Sequence, residues 1–124
     1  MISTVELHEK KSFAKPDDVR TFDNGRIEVL NVGDTTIGRT ILQPGWRWSV
    51  CVKPLVETEY CEVSHLMCIT AGRMRVKMED GTEFDIAAGD VATIPPGHDA
   101  WVVGNEPVVG FDITGAANYA RRPE

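Results

Sequence analysis

Turn-forming residues recur every few positions along most of this chain, and their spacing leaves room for short strands only. Asp34, Pro44-Gly45, Asp80-Gly81, Gly89-Asp90 and Pro95-Pro96-Gly97 punctuate the sequence. Glycine and aspartate tolerate positive φ and proline locks φ, so the chain can reverse at each of these points. Between them lie segments rich in β-branched and apolar residues: Arg26 to Val32, Thr35 to Gln43, Trp46 to Val52, Glu62 to Thr70, Arg73 to Met78, Thr82 to Ile86, Val91 to Ile94, Ala100 to Val103 and Val108 to Ile113. This rhythm predicts an all-β sandwich or barrel. Asp80-Gly81 marks the clearest hairpin. Before it, Met74, Val76 and Met78 alternate with Arg73, Arg75 and Lys77, giving one apolar and one charged face. Before the tail, 116–121, no segment reads as a helix. The organisation is therefore an N-terminal arm over 1–25 with one short strand at most, a barrel over 26–115, and a C-terminal tail over 116–124.

Charge and length restrict the function. A chain of 124 residues is the size of one domain. A net charge of −6 and a pI near 5.0 exclude the basic face that a nucleic-acid binder needs, which leaves a small molecule as the expected ligand. No apolar run is long enough to span a membrane, and the first residues lack a basic segment followed by a hydrophobic one, so a cytoplasmic location is expected. Cys51, Cys61 and Cys68 cannot all pair within one chain, and in a reducing compartment each is a core thiol or a ligand.

The stretch from Glu59 to Gly97 resembles the cupin superfamily. Gly89, Pro95 and Gly97 fall at the spacing of the second cupin motif. Gly72 closes the first, with Arg73-Met74-Arg75-Val76 entering the next strand. The resemblance covers roughly residues 26–115 and implies a jelly-roll barrel with a site in its mouth. It also implies a homodimer, paired through outer sheets, and an activity among the dioxygenases, isomerases, lyases and decarboxylases. The ligand types are permuted. Where the family carries its glutamate this chain has His65, and where it carries two histidines it has Glu59 and Cys61. The histidine position of the second motif is Ala100, but His98 stands two residues earlier.

Without the family, Glu59, Cys61, His65 and Met67 share one parity, so on an extended strand they face one side. His98 shares parity with Ala100 and can face inward near the rim. A carboxylate, a thiol and two imidazoles suit a divalent transition metal, zinc or iron first, rather than calcium or magnesium. The plain alternative is that Cys61 is a buried apolar residue, Glu59 lies in a solvated loop, and both histidines make ordinary hydrogen bonds. Asp99 offers His98 a carboxylate but faces the other way on a strand, which favours bonds to turn amides. Trp46 and Trp48 share a face and, with Met67 and Ala100, form the candidate substrate pocket, Arg47 lying outside; otherwise they fill the core or a dimer contact. His8, with no motif around it, reads as a surface residue. Three functions remain open: a metal-dependent cupin enzyme, a metabolite-binding or sensory barrel without catalysis, and a metal-free epimerase or cyclase with His65 or His98 as base.

Overall fold

A computed structural model describes residues 8–121. Nine strands carry the fold: β1 (Asp18–Phe22), β2 (Gly25–Val32), β3 (Thr35–Leu42), β4 (His65–Ala71), β5 (Arg73–Met78), β6 (Glu83–Ala87), β7 (Val91–Ile94), β8 (His98–Val102) and β9 (Val108–Asp112). They form a six-stranded sheet in the order β1-β2-β3-β9-β4-β7 and a three-stranded sheet in the order β6-β5-β8, with every pairing antiparallel. The apolar faces of both sheets supply one core, including Ile27, Leu42, Ile69, Val76, Ile86 and Val108. This is the all-β architecture that the turn rhythm predicts, in the jelly-roll form that the cupin resemblance implies. None of the described helices is long and apolar enough to cross a membrane.

The alternation on β5 holds: Met74 and Val76 are buried while Arg73, Arg75 and Lys77 are exposed. At the turn after it, Gly81 takes a φ of 93° and its N–H donates to Met78 O at 2.9 Å. The Asp80 carboxylate accepts from the Thr82 amide at 2.9 Å, which fixes the reversal. Gly72, between β4 and β5, has a φ of 77°, and a Cβ there would run into the carbonyl of Pro107. Both its conformation and the approach of the neighbouring chain require glycine.

Four departures from the sequence expectation exceed one residue. The segment 46–52 is not a strand: after one bridge from Arg47 to Trp101, the chain turns into two short helices, α1 (Trp48–Cys51) and α2 (Lys53–Val56). Asp99, on β8, accepts the Ser49 amide at 3.0 Å, so a carboxylate from another element meets a free N–H in the first turn of α1. Pro54 lies in the first turn of α2, where its missing N–H costs nothing. The expected strand from Glu62 begins only at His65, and β8 begins two residues earlier than expected, at His98. The tail forms turns rather than a helix, with the amides of Asn118 and Tyr119 both bonded to Gly115 O.

The described part of the arm lies on its own barrel. Asp17 N–H donates to Val29 O at 2.8 Å and the Asp17 carboxylate accepts from Asn31 N at 2.8 Å. Phe13 stacks against Phe111 of β9 at 5.7 Å between centroids, and the Arg39 guanidinium of β3 sits 5.0 Å above the Phe13 ring. His8 is exposed, as expected.

Candidate metal centre

One backbone bridge brings the two sequence motifs together. Cys61 N–H donates to His98 O at 2.8 Å and Gly97 N–H donates to Cys61 O at 2.8 Å, so Cys61 and His98 stand opposite one another. Four residues on, His65 opens β4 opposite Ile94. Strand-like alternation carries it to the same side as Cys61: residues 61, 65 and 67 are buried while 62 and 64 are exposed. One ligand atom from each of Cys61, His65 and His98 lies within 4.8 Å of the others. The imidazole rings are 5.2 Å apart, and Cys61 Sγ is 3.6 Å from His65 Nε2.

Each histidine has its second nitrogen occupied, and that sets which nitrogen faces the cluster. His65 Nδ1 lies 2.5 Å from Asp112 Oδ2, and His98 Nδ1 lies 2.7 Å from the carbonyl of Pro95. A carboxylate and a carbonyl only accept here, so both Nδ1 atoms carry a proton and Nε2 is the nitrogen each ring leaves for the cluster. Burial pushes the His98 imidazole down to about 4 against an ordinary 6.5, so it is neutral near pH 7. Burial, with the charges of Glu62, Asp112 and Asp99 adding to it, pushes the Cys61 thiol up to about 12. Without a nearby cation, then, the cluster holds a protonated thiol at Cys61 and a neutral imidazole at His98.

Asp112 completes the arrangement. It is 1% exposed, and its other oxygen accepts from Gly115 N at 2.8 Å. A Cβ at Gly115 would lie 2.7 Å from Asp112 Oδ2, His65 Nδ1 and Ser64 O alike, so only glycine lets the tail close over this pair. Carboxylates that hold the far nitrogen of a metal-binding imidazole do this work in metal sites, fixing the ring and raising its basicity. One edge of the donor set matches the dimensions of an ion site. With metal–sulfur and metal–nitrogen bonds near 2.3 and 2.0–2.1 Å, the sulfur–nitrogen edge of a tetrahedral site is about 3.6 Å, the separation found between Cys61 and His65.

The cluster opens on a cavity of about 30 Å³, walled on its apolar side by Leu42, Trp46, Trp48, Met67, Met74 and Ile94, with Thr40, Ala100 and Tyr119 completing it. Trp46, Trp48, Met67 and Ala100 therefore all line it together. Trp46 and Trp48 are each 2% exposed although only the first precedes a bridge, because the turn into α1 folds the second indole inward as well. Arg47 points outward, over the Trp101 ring at 4.4 Å. Glu59 is not brought in: it is exposed, and it borders a shallow depression with Ser49, Lys53 and Glu57 on the outside. Asp99 serves the amides of Ser49 and Ala100 and the Arg47 guanidinium rather than an imidazole. The sequence reading did not single out Asp112, Gly115 or Tyr119. A signal for Asp112 was present: it shares parity with Val108 and Gly110, and a carboxylate on the buried face of a strand needs a partner.

A two-sheet jelly roll with imidazoles and a thiol beside an apolar pocket defines a small barrel of the cupin class. The chain belongs to the family of the EutQ-like cupin domain, whose model matches residues 39–109, more than half of its length. Among solved structures it is similar to the oxalate decarboxylase of Lactobacillus farciminis in its formate complex, at 19% identity and a TM-score of 0.61, over 93% of this chain and 35% of that one. A Rhizobium leguminosarum protein of unknown function aligns at 20% identity and a TM-score of 0.60, over 88% of this chain and 98% of that one. The putative ethanolamine utilization protein Q of Salmonella typhimurium aligns at 15% identity and a TM-score of 0.52, over 74% and 70%. The chain thus spans about a third of the length of the oxalate decarboxylase. No curated protein matches it in sequence.

Proposed function

We propose that this chain is a small-molecule-acting cupin that holds a divalent transition ion, zinc or iron(II), on Cys61 Sγ, His65 Nε2 and His98 Nε2. The observation that carries this is the convergence of the three donors within 4.8 Å, with each histidine's other nitrogen already committed elsewhere. Three protein ligands leave a coordination position for substrate or water, the arrangement of catalytic rather than structural sites. Such an ion, when bound, supplies Lewis acidity at that open position. The chain's own residues do the rest: Asp112 orients His65, and the tryptophans exclude bulk water. The oxalate decarboxylase likeness supports the fold, and the dioxygenase, isomerase, lyase and decarboxylase classes all remain within this reading. Metal analysis of untagged protein tests it. We expect about one equivalent of a transition metal, reduced in Cys61→Ala, His65→Ala and His98→Ala with the β-sheet circular dichroism retained. Wild-type occupancy in both histidine variants would overturn the site.

A second reading draws on one specific contact. The short His65–Asp112 pair is also how a general base is held, the carboxylate fixing the tautomer while Nε2 takes a proton from substrate. A protein that purifies without metal and takes none up from excess zinc or iron(II) would favour this metal-free chemistry.

A further inference from the structure

One residue of the cavity wall carries a buried donor with nothing to bond. Trp46 is 2% exposed, and among the described residues its indole Nε1 is the one buried side-chain nitrogen or oxygen without a hydrogen-bond partner. Native interiors rarely leave such a donor unpaired, because an orphaned buried N–H costs about 1–3 kcal/mol. The residue is held in place on both sides. Its N–H donates to Gln43 O at 3.0 Å, its carbonyl accepts from Val102 N at 3.1 Å, and its ring packs against Phe22 at 6.4 Å between centroids.

The chemistry of the missing partner follows from the wall. An indole N–H only donates, so the partner must accept. Among the described residues no lysine or arginine lines the cavity, and the Asp112 carboxylate is already engaged by His65 and Gly115. Bringing an anion among these apolar side chains is costly, whereas a neutral oxygen on an apolar body needs only the one donor. The size is also bounded. A cavity of about 30 Å³ compares with about 10–15 Å³ for a single water, so it accommodates about two or three heavy atoms of an occupant.

We propose that this cavity binds a compact neutral carbonyl compound, an aldehyde or ketone, whose oxygen accepts the Trp46 Nε1 hydrogen bond. The proposal rests on the cavity being the ligand site of the proposed function, and it does not require that the ion be bound. Acetone is the probe. In nitrogen-15-labelled full-length protein, the Trp46 indole resonance is identified by its absence from Trp46→Phe. Acetone is expected to move that resonance saturably, with and without added zinc. Saturation transfer to the acetone methyl groups is expected to show about tenfold weaker binding in Trp46→Phe, and acetate at equal concentration is expected to leave the resonance in place. An indole resonance that stays fixed while the methyl signal saturates overturns the proposal, because it leaves the donor to a water that acetone does not displace. Equal binding by Trp46→Phe, or an equal shift with acetate, overturns it too. Should Trp46→Phe fail to fold, Trp48→Phe and Trp101→Phe assign the resonance by elimination and the wild-type titration decides. Metal content measured on the same samples separates the two ideas. A shifted indole in protein that takes up no ion sinks only the metal reading, and a fixed indole in loaded protein sinks only this one.

Discussion

Asp112 decides what His65 can be. Its carboxylate holds Nδ1 and its second oxygen is itself held by the Gly115 amide, so the imidazole has one tautomer and one orientation. Asp112→Asn keeps the shape and removes the charge. Zinc affinity is expected to fall by about 10–100-fold, measured by competition with a chromophoric chelator; unchanged affinity would mean that Asp112 only fills space. His98 gives a prediction of a different kind, for the chelator-treated protein. Its folded value, about 4, lies below its ordinary 6.5 because burial disfavours the charged ring. The unfolded chain therefore takes up a proton, below pH 6.5, that the fold refuses until about pH 4. The stability is full above pH 6.5 and declines as the pH falls towards 4, by on the order of 3 kcal/mol in total. Urea unfolding across that range should show the decline, and His98→Gln should flatten it. An identical slope in the variant would show that other groups carry it.

At the scale of elements, alternation marks the inward set on β5 and β8, although pairing does not guarantee it: Ile27 to Leu30 of β2 are all buried. Along β5 and β8 the inward set is the one the period of two assigns, including His98 and Ala100. In the first motif the parity reading holds from Cys61 onward and breaks at Glu59, because pairing stops at the single Cys61–His98 bridge and the chain before it is loop. The segment after Trp46 has the β-branched and aromatic composition of a strand, yet it turns helical. Its deciding interaction is the Ser49 amide donating to Asp99, fifty positions away. Trp46 and Trp48 both reach the cavity despite the change of element, because Trp46 precedes the helix and the turn into α1 folds the second indole inward.

For the whole molecule, the homodimer that the cupin resemblance implies has a candidate surface. The outer face of the six-stranded sheet carries Val91, 65% exposed, and Ile113, 40% exposed, with Leu66, Cys68 and Val109 half-buried beside them. The described arm seats Phe13 on Phe111 of the same barrel, so it is not free to reach a partner from that position. The pairing is expected to use the sheet itself, near its β7 edge. Light scattering at tens of micromolar should report a dimer for the wild type and a monomer for Val91→Asp, since an unpaired charge in an apolar contact is costly. A wild-type monomer would end the expectation.

The sequence alone determined the class of fold, because turn residues at regular intervals leave only strands between them, and glycine and proline act through local backbone sterics that no distant contact needs to supply. It also determined that Cys61, His65 and His98 face inward, since parity is local along each strand. The tertiary structure decided which of those inward groups meet. Glu59 drops out because its strand has not yet begun, and Asp112 enters because β9 lies beside β4, opposite Met67. Neither fact is written in the spacing of any one segment. Long-range pairing sets which side chains converge, and a ligand cluster is defined by convergence.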